Sequence, residues 1–448
     1  MTLKPHLILT FTLVTLLAGL ASAQMAAQAG PAPGQTAPAA AAPSSSKDGP
    51  AQAYTLPPDK LAKAIVLNKI RLTLEFAGTF WGLAVLWLLL STRAAAGLER
   101  WAQRVSLRRW IQGVVFFAVF FVITTLADLP LSAIGHAVSL HYTISVQGWL
   151  SWFGDVAKGL GVNMAVGTMI LLLFNWVVRV SPRGYWIWAW VITMPLIVAG
   201  VIAEPVVIDP LFNKFEPLSA THAALVGKLE MVVARTGTAI PPERMFLMKA
   251  SKKTNGVNAY VTGLGSTKRF VMWDTLTDRM PDDEVLWVFG HESGHYVLNH
   301  IPKGIAISAV SIFIVFWACA RFAEWMVRRF GPRWQIDSMA SRAGFLTLLF
   351  ALSIASFLLE PASNAVSRHF EHEADVYGQE AIHGIVADPQ KTAVGALNDI
   401  GAAWLEDPDP SAFVEFWTYN HPSTKNRANF AAHYDPWANG GHGRFFDK

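Results

Sequence analysis

The sequence predicts a mainly α fold: a polytopic membrane helix bundle of six spans after a signal-like segment, joined to a small α+β polar domain. Three observations predict it. Hydrophobic residues fill 52% of the 448 positions and charged residues only 15%, against about 25% charged in a soluble chain. Six apolar runs of 17 to 20 residues contain no Asp, Glu, Lys or Arg, and each is about as long as a bilayer-crossing helix. The scarce charges collect in arginine-rich turns and in two polar blocks. The same composition excludes other classes. With 27 Phe and 18 Trp the bulk of the chain is not disordered. A single cysteine, Cys319, excludes a disulfide scaffold and reads as an apolar filler within a span. The net charge of +4 sits beside the apolar runs, which points to membrane topology and not to a nucleic-acid partner.

Residues 1–23 have a short basic start (Lys4, His6), an apolar run Leu7–Leu20, and Ala21-Ser22-Ala23. That is the layout of a signal peptide, with an uncleaved signal anchor as the alternative. Residues 24–56 read as an Ala/Pro-rich flexible tether, because Ala, Pro, Gln, Ser and Gly supply no core. An N-terminal membrane domain of four spans follows at 57–204. Its runs are Phe76–Thr92, Trp110–Ala127, Gly159–Val178 and Gly184–Ala203, the last containing Pro195. The amphipathic stretch Pro57–Ile70 is expected to lie on the membrane surface ahead of them. Trp186, Trp188 and Trp190 are expected to form an interfacial belt. Block 205–303 carries strand-like runs at Arg244–Met248, Val257–Val261 and Arg269–Trp273. A helix from about Asp282 to His300 comes next, with an acidic start. Residues 304–359 form a transmembrane hairpin (Gly304–Ala320, Ala343–Leu359). Block 360–448 is helical through Phe370–Gly384, then richer in Pro, Asp and Asn.

Lysine and arginine set the expected orientation. One side of the bundle receives Arg93, Arg100, Arg104, Arg108, Arg109, Arg179, Arg183, Arg321, Arg328, Arg329, Arg333 and Arg342. The other receives Lys60, Lys63, Lys69, Arg71 and Lys158. The arginine-rich side is therefore cytoplasmic, and both polar blocks lie outside the cytoplasm; a cytoplasmic catalytic face is the alternative.

Chemistry concentrates in three segments. His291-Glu292-Ser293-Gly294-His295 matches H-E-x-x-H. Residues four apart share a helix face, so both imidazoles reach one metal ion, with Glu292 beside it as a general base. A catalytic zinc site wants a third protein ligand and an open position. The candidate is Glu371 in Glu371-His372-Glu373-Ala374-Asp375, with His372 and Glu373 competing, and Asp375 is placed to accept a hydrogen bond from a ligand histidine. Two spans separate His295 from Glu371, so the chain returns to the same side. In His421-Pro422-Ser423-Thr424-Lys425-Asn426-Arg427 the residues His421 and Arg427 are suitable types to hold an oxyanion. His300, five residues past His295, lies off the ligand face and is assigned a structural or capping role.

Together these segments resemble the type I CAAX prenyl endopeptidases, integral-membrane zinc metallopeptidases related to the yeast a-factor-converting enzyme. The resemblance runs from about Pro57 to Arg427. It rests on Asp209-Pro210-Leu211-Phe212-Asn213-Lys214-Phe215, Ser251-Lys252-Lys253 with Asn258-Ala259-Tyr260, H-E-x-x-H through Asn299-His300, Asn364–Glu371, and His421-Pro422 with Arg427. It implies that the α+β domain is a zinc metallopeptidase catalytic domain. It implies one zinc ion per chain on His291, His295 and Glu371, with Glu292 as general base. It implies that His421 and Arg427 stabilise the oxyanion and that Asn258, Ala259 and Tyr260 pair with substrate backbone. It further implies helices that enclose a chamber in the membrane. The expected partners are a peptide or membrane-protein substrate and the lipid bilayer, with the protein a monomer. The signal and tether point to the inner membrane of a bacterium. The alternative function is a multi-span transporter or membrane scaffold with a structural zinc site.

Overall fold

The structure is a computed structural model that describes residues 53–447. The expected signal peptide at 1–23 and most of the expected tether lie outside the described residues. The end of the tether is corrected. Tyr54 and Leu56 are buried in the core of the polar domain. The Tyr54 hydroxyl donates to the Glu406 carbonyl at 3.1 Å, and the Ala53 amide donates to Asn429 Oδ1 at 3.0 Å.

Among the described residues, six helices are long and apolar enough to cross a membrane. The first, α1, runs Pro58–Ser91. A short α2 (Ala94–Val105) precedes the second, α3 (Arg109–His141). The third, α4 (Trp149–Val180), carries a π turn at Asn163–Gly167. The fourth, α5 (Tyr185–Phe212), carries another at Glu204–Ile208. Each outruns its charge-free run, because apolarity marks only the membrane-depth middle of a helix that polar flanks extend. Pro57–Ile70 is accordingly not a separate surface helix. No breaker lies between Pro58 and Ser91, and Ala64 and Leu67 pack into the core of the polar domain instead. Asn68 Nδ2 donates to Asp407 Oδ2 at 3.1 Å, and Arg71 Nη1 donates to the Trp404 carbonyl at 3.3 Å. Much of the apolar surface is exposed; in the most apolar windows of α1 and α5 only 17% is buried. Such a surface needs lipid. The tryptophan belt divides. Trp188 is exposed, whereas Trp186 and Trp190 turn inward onto Phe313.

The polar domain follows α5 as β1 (Phe215–Pro217), α6 (Ala223–Thr236), β2 (Met245–Met248), β3 (Ala259–Thr262), β4 (Arg269–Trp273) and α7 (Asp282–Val297). The sheet order is β1-β2-β4-β3. Strand β2 pairs parallel to β4, while β1 with β2 and β3 with β4 pair antiparallel. Strand β3 is thus an edge strand. The last two spans, α8 (His300–Trp334) and α9 (Arg342–Ala381), lead to α10 (Pro389–Trp404), α11 (Ala412–Thr418) and α12 (Thr424–His433). The second polar block contributes α10 and α12 to the same core as α6 and α7. A separate apolar cluster joins the spans.

The arginine-rich turns meet at one end. Arg93 Nε donates to the Arg333 carbonyl, and Arg342 pairs with Glu99 at 3.3 Å. At the other end the turn after α3 bridges to the polar domain, Ser145 to Thr254.

Candidate metal centre

The centre lies where α7 crosses α9. Asp282, Asp283 and Glu284 open α7, where acidic side chains suit the helix dipole. The crossing is close because three glycines line it. A Cβ on Gly378 would lie 2.7 Å from the His291 backbone nitrogen, and one on Gly290 3.1 Å from the Gly378 carbonyl oxygen. Gly294 meets Tyr377 in the same way, at 3.0 Å.

That closeness brings three ligand groups together. His291 Nε2 and His295 Nε2 are 3.2 Å apart. Glu371 Oε2 lies 3.3 Å from His291 Nε2, and Glu371 Oε1 lies 3.4 Å from His295 Nε2. All three side chains are buried. A four-coordinate ion with ligands at about 2.0–2.1 Å separates its ligand atoms by about 3.3–3.4 Å. The donor spacings are of that size, with Glu371 facing the two rings through different oxygens. Glu371 Oε2 supports this, since it is buried and accepts no hydrogen bond among the described residues. The competitors at 372 and 373 lie elsewhere. His372 packs on Phe430, and Glu373 faces His300 and Arg444.

The surroundings orient this set. His291 Nδ1 lies 2.9 Å from Asp375 Oδ1. Arg427, on α12, donates to both Asp375 oxygens, Nε at 2.8 Å and Nη2 at 2.6 Å. Burial opposes charge on His291, but the Asp375 and Glu371 carboxylates outweigh it and hold the ring's pKa up at about 9. Glu292 is pushed above the usual carboxylate range by burial, against the pull of His291 and His295. Its Oε2 accepts from the Val261 amide at 3.3 Å. His421, just ahead of α12, has Nε2 at 3.3 Å from Glu371 Oε2. Burial pushes it down to about 4, against Glu371, so the ring is neutral near pH 7.

Strand β3 runs past Glu292 with one edge free. The Trp273 amide donates to the Asn258 carbonyl, and residues 259–262 pair with β4. Alternation then turns the backbone groups of Ala259 and Val261 to the edge that no other strand pairs, where Glu292 holds the Val261 amide. Of the three residues singled out in the sequence, Ala259 alone offers its backbone there. Tyr260 is buried, and its hydroxyl donates to Asp209 Oδ2 at 3.2 Å. Val261 and Arg444 escaped sequence reasoning, which weighed Glu373 only as a rival ligand and gave His300 a structural or capping role. Asn299 beside His300 was the available signal, because asparagine tolerates the left-handed backbone that ends a helix.

Comparison with known proteins agrees with this arrangement. Residues 220–435 match the model of peptidase family M48. Residues 45–214 match that of the CAAX prenyl protease N-terminal region, described as five membrane helices. The chain is 32% identical to the metalloprotease YhfN of Bacillus subtilis (strain 168) over 374 residues, covering 84% of this chain and 86% of that one. It is 27% identical to CAAX prenyl protease 1 of Saccharomyces cerevisiae over 339 residues, 70% and 71% of the two chains. The crystal structure of S. mikatae Ste24p superposes with a TM-score of 0.73 at 21% identity, over 95% of this chain and 98% of that one, which shows a shared fold.

Proposed function

The chain belongs to peptidase family M48 and is a membrane metallopeptidase, and from that premise we propose a zinc endopeptidase that takes extended peptide on the β3 edge. His291, His295 and Glu371 would hold the ion. Zinc bound there supplies a Lewis acid and acidifies a coordinated water.

The chain's own residues do the rest. Substrate adds to the sheet by pairing with the Ala259 backbone and the Val261 carbonyl, which sets its own carbonyl beside Glu292. Glu292 takes a proton from the attacking water and passes it to the leaving amine. Its raised pKa suits a group that holds a proton between those steps. His421 offers an uncharged ring N–H to the oxyanion. Arg427 spends Nε and Nη2 on Asp375 and would bring its positive charge to the same oxyanion. Asp375 fixes the tautomer of His291. One chain supplies every group, in keeping with a monomer.

The observation that carries this reading is the convergence of His291, His295 and Glu371, with donor atoms 3.2–3.4 Å apart, beside Glu292. A structural zinc in a transporter or scaffold would want a closed four-ligand shell. Three such ligand groups converge among the described residues. The proposed setting is a bacterial inner membrane with the site facing out of the cytoplasm, and the substrate is a peptide or an extended membrane-protein segment. Glu292→Gln tests the mechanism. The purified variant is expected to keep fold and zinc and to lose peptide cleavage by at least ~100-fold. Undiminished cleavage removes Glu292 from its role.

A further inference from the structure

The two metal-facing histidines have different supports. His291 has a carboxylate directly on its Nδ1. His295 has another imidazole: its Nδ1 lies 3.0 Å from Nδ1 of His300. His300 Nε2 in turn lies 3.3 Å from Glu373 Oε2, and Glu373 Oε1 accepts from Arg444 Nη2 at 2.6 Å. We infer that His300 and Glu373 are positioning residues for His295, forming an imidazole–carboxylate relay that sets this ligand's tautomer and that the C-terminal tail closes. The inference rests on the metal-centre reading above.

The protons leave one assignment. A ligand Nε2 must present a lone pair, so His295 carries its proton on Nδ1 and donates. His300 Nδ1 must then accept, which puts the His300 proton on Nε2. That proton needs an acceptor, and Glu373 Oε2 is there. Every donor in the chain thus points toward the carboxylate.

The backbone is built to allow it. On a continuous helix, five residues turn the chain about 500°, which leaves His300 about 140° away from His295. The helix instead stops at Asn299, whose φ of 58° is left-handed, and α8 restarts with His300 as its first residue. The His300 ring is buried and stacks on Phe370, with centroids 4.4 Å apart and planes at 10°. Glu373 lies two residues past Glu371 on α9 and so points to a different face. Seven residues further, buried Glu380 anchors the tail. It accepts from the backbone amides of Arg444, Phe445 and Phe446 at 2.6, 2.7 and 3.1 Å, and from the Tyr434 hydroxyl. That anchor presents Arg444 to Glu373. The Arg444 side chain is half exposed, so water screens its share. His369 Nε2 also approaches Glu373 Oε2, at 3.9 Å, from an exposed position.

The experiment uses full-length, detergent-purified protein. Zinc affinity is read by chelator competition, and ligand geometry by the visible absorption of the cobalt(II)-loaded protein. His300→Phe keeps a ring on Phe370 but removes the acceptor; His300→Asn returns an acceptor near the old Nδ1. The relay requires about 10–100-fold weaker zinc binding and a shifted cobalt spectrum in H300F. It also requires substantial recovery in H300N and a smaller loss in Glu373→Gln. Wild-type zinc affinity and cobalt spectrum in H300F overturn it. If H300F does not fold, the comparison passes to Glu373→Ala, where an unchanged affinity and spectrum overturn it equally. Glu371→Gln separates the two levels. Zinc lost in E371Q but not in H300F or E373A removes the relay alone. Zinc held at wild-type affinity in E371Q removes the metal centre, and the relay with it.

Discussion

In the proposed centre, His291 is where proton and metal would compete. Its neighbours Asp375 and Glu371 raise its pKa to about 9 in the metal-free protein, against the effect of burial. Metal binding must displace that proton. Apparent zinc affinity of the metal-free protein is therefore expected to fall about tenfold per pH unit below about 9, read by competition titration at several pH values. The sign for stability is opposite. A ring held above its unfolded value of 6.5 stabilises the metal-free fold below that value and loses the contribution as pH rises toward 9. Flat zinc affinity between pH 6 and 8 would contradict the pair. At this scale much of the site was legible. His291, Glu292 and His295 follow from a four-residue spacing on one helix, a local matter of 100° per residue. Glu371 and Asp375 share a helix face by the same spacing, but which carboxylate faces the histidines depends on how α9 is rotated against α7. Arg427 suited an oxyanion by type alone; its double hydrogen bond to Asp375 depends on where α12 docks.

Among elements, the α7–α9 crossing and the β3 edge decide whether the site exists. Gly378→Ala would put a methyl 2.7 Å from the His291 nitrogen, and backbone must move. The expected outcome is about 1–3 kcal/mol of lost stability and weaker metal binding, measured by denaturant unfolding and zinc competition. A variant with wild-type values would show that the crossing has slack. The β3 edge makes a separate prediction. Peptide substrates N-methylated at the backbone positions facing Ala259 and Val261 are expected to lose about tenfold in kcat/KM each, the worth of one hydrogen bond. Equal turnover of methylated and parent peptides would argue against strand addition. Strands β2 and β4 were readable from their apolar runs. The three-residue β1 was not, because Phe215–Pro217 is too short to alternate and ends in proline. The join of Pro57–Ile70 to the first span was misread for a related reason. Amphipathicity tells that one face is buried, not whether lipid or protein buries it.

For the whole molecule, the arginine-rich turns gather at one end of the bundle and the polar domain at the other. A reporter fused after residue 448 is expected to signal outside the cytoplasm. A cytoplasmic signal would reverse the orientation and restrict substrates to cytosolic chains. The sequence by itself determined six apolar helices, the side on which each connection falls and the H-E-x-x-H pair, because hydropathy and helical period act within a few turns of chain. Tertiary structure alone decided that Glu371 meets His291 and His295, that Asp375 and His300 lie against the Nδ1 atoms of those two histidines, and that residues 53–56 pack into the polar domain. Those outcomes depend on close contacts between segments tens to hundreds of residues apart, and no local pattern encodes which small residues will let two helices touch.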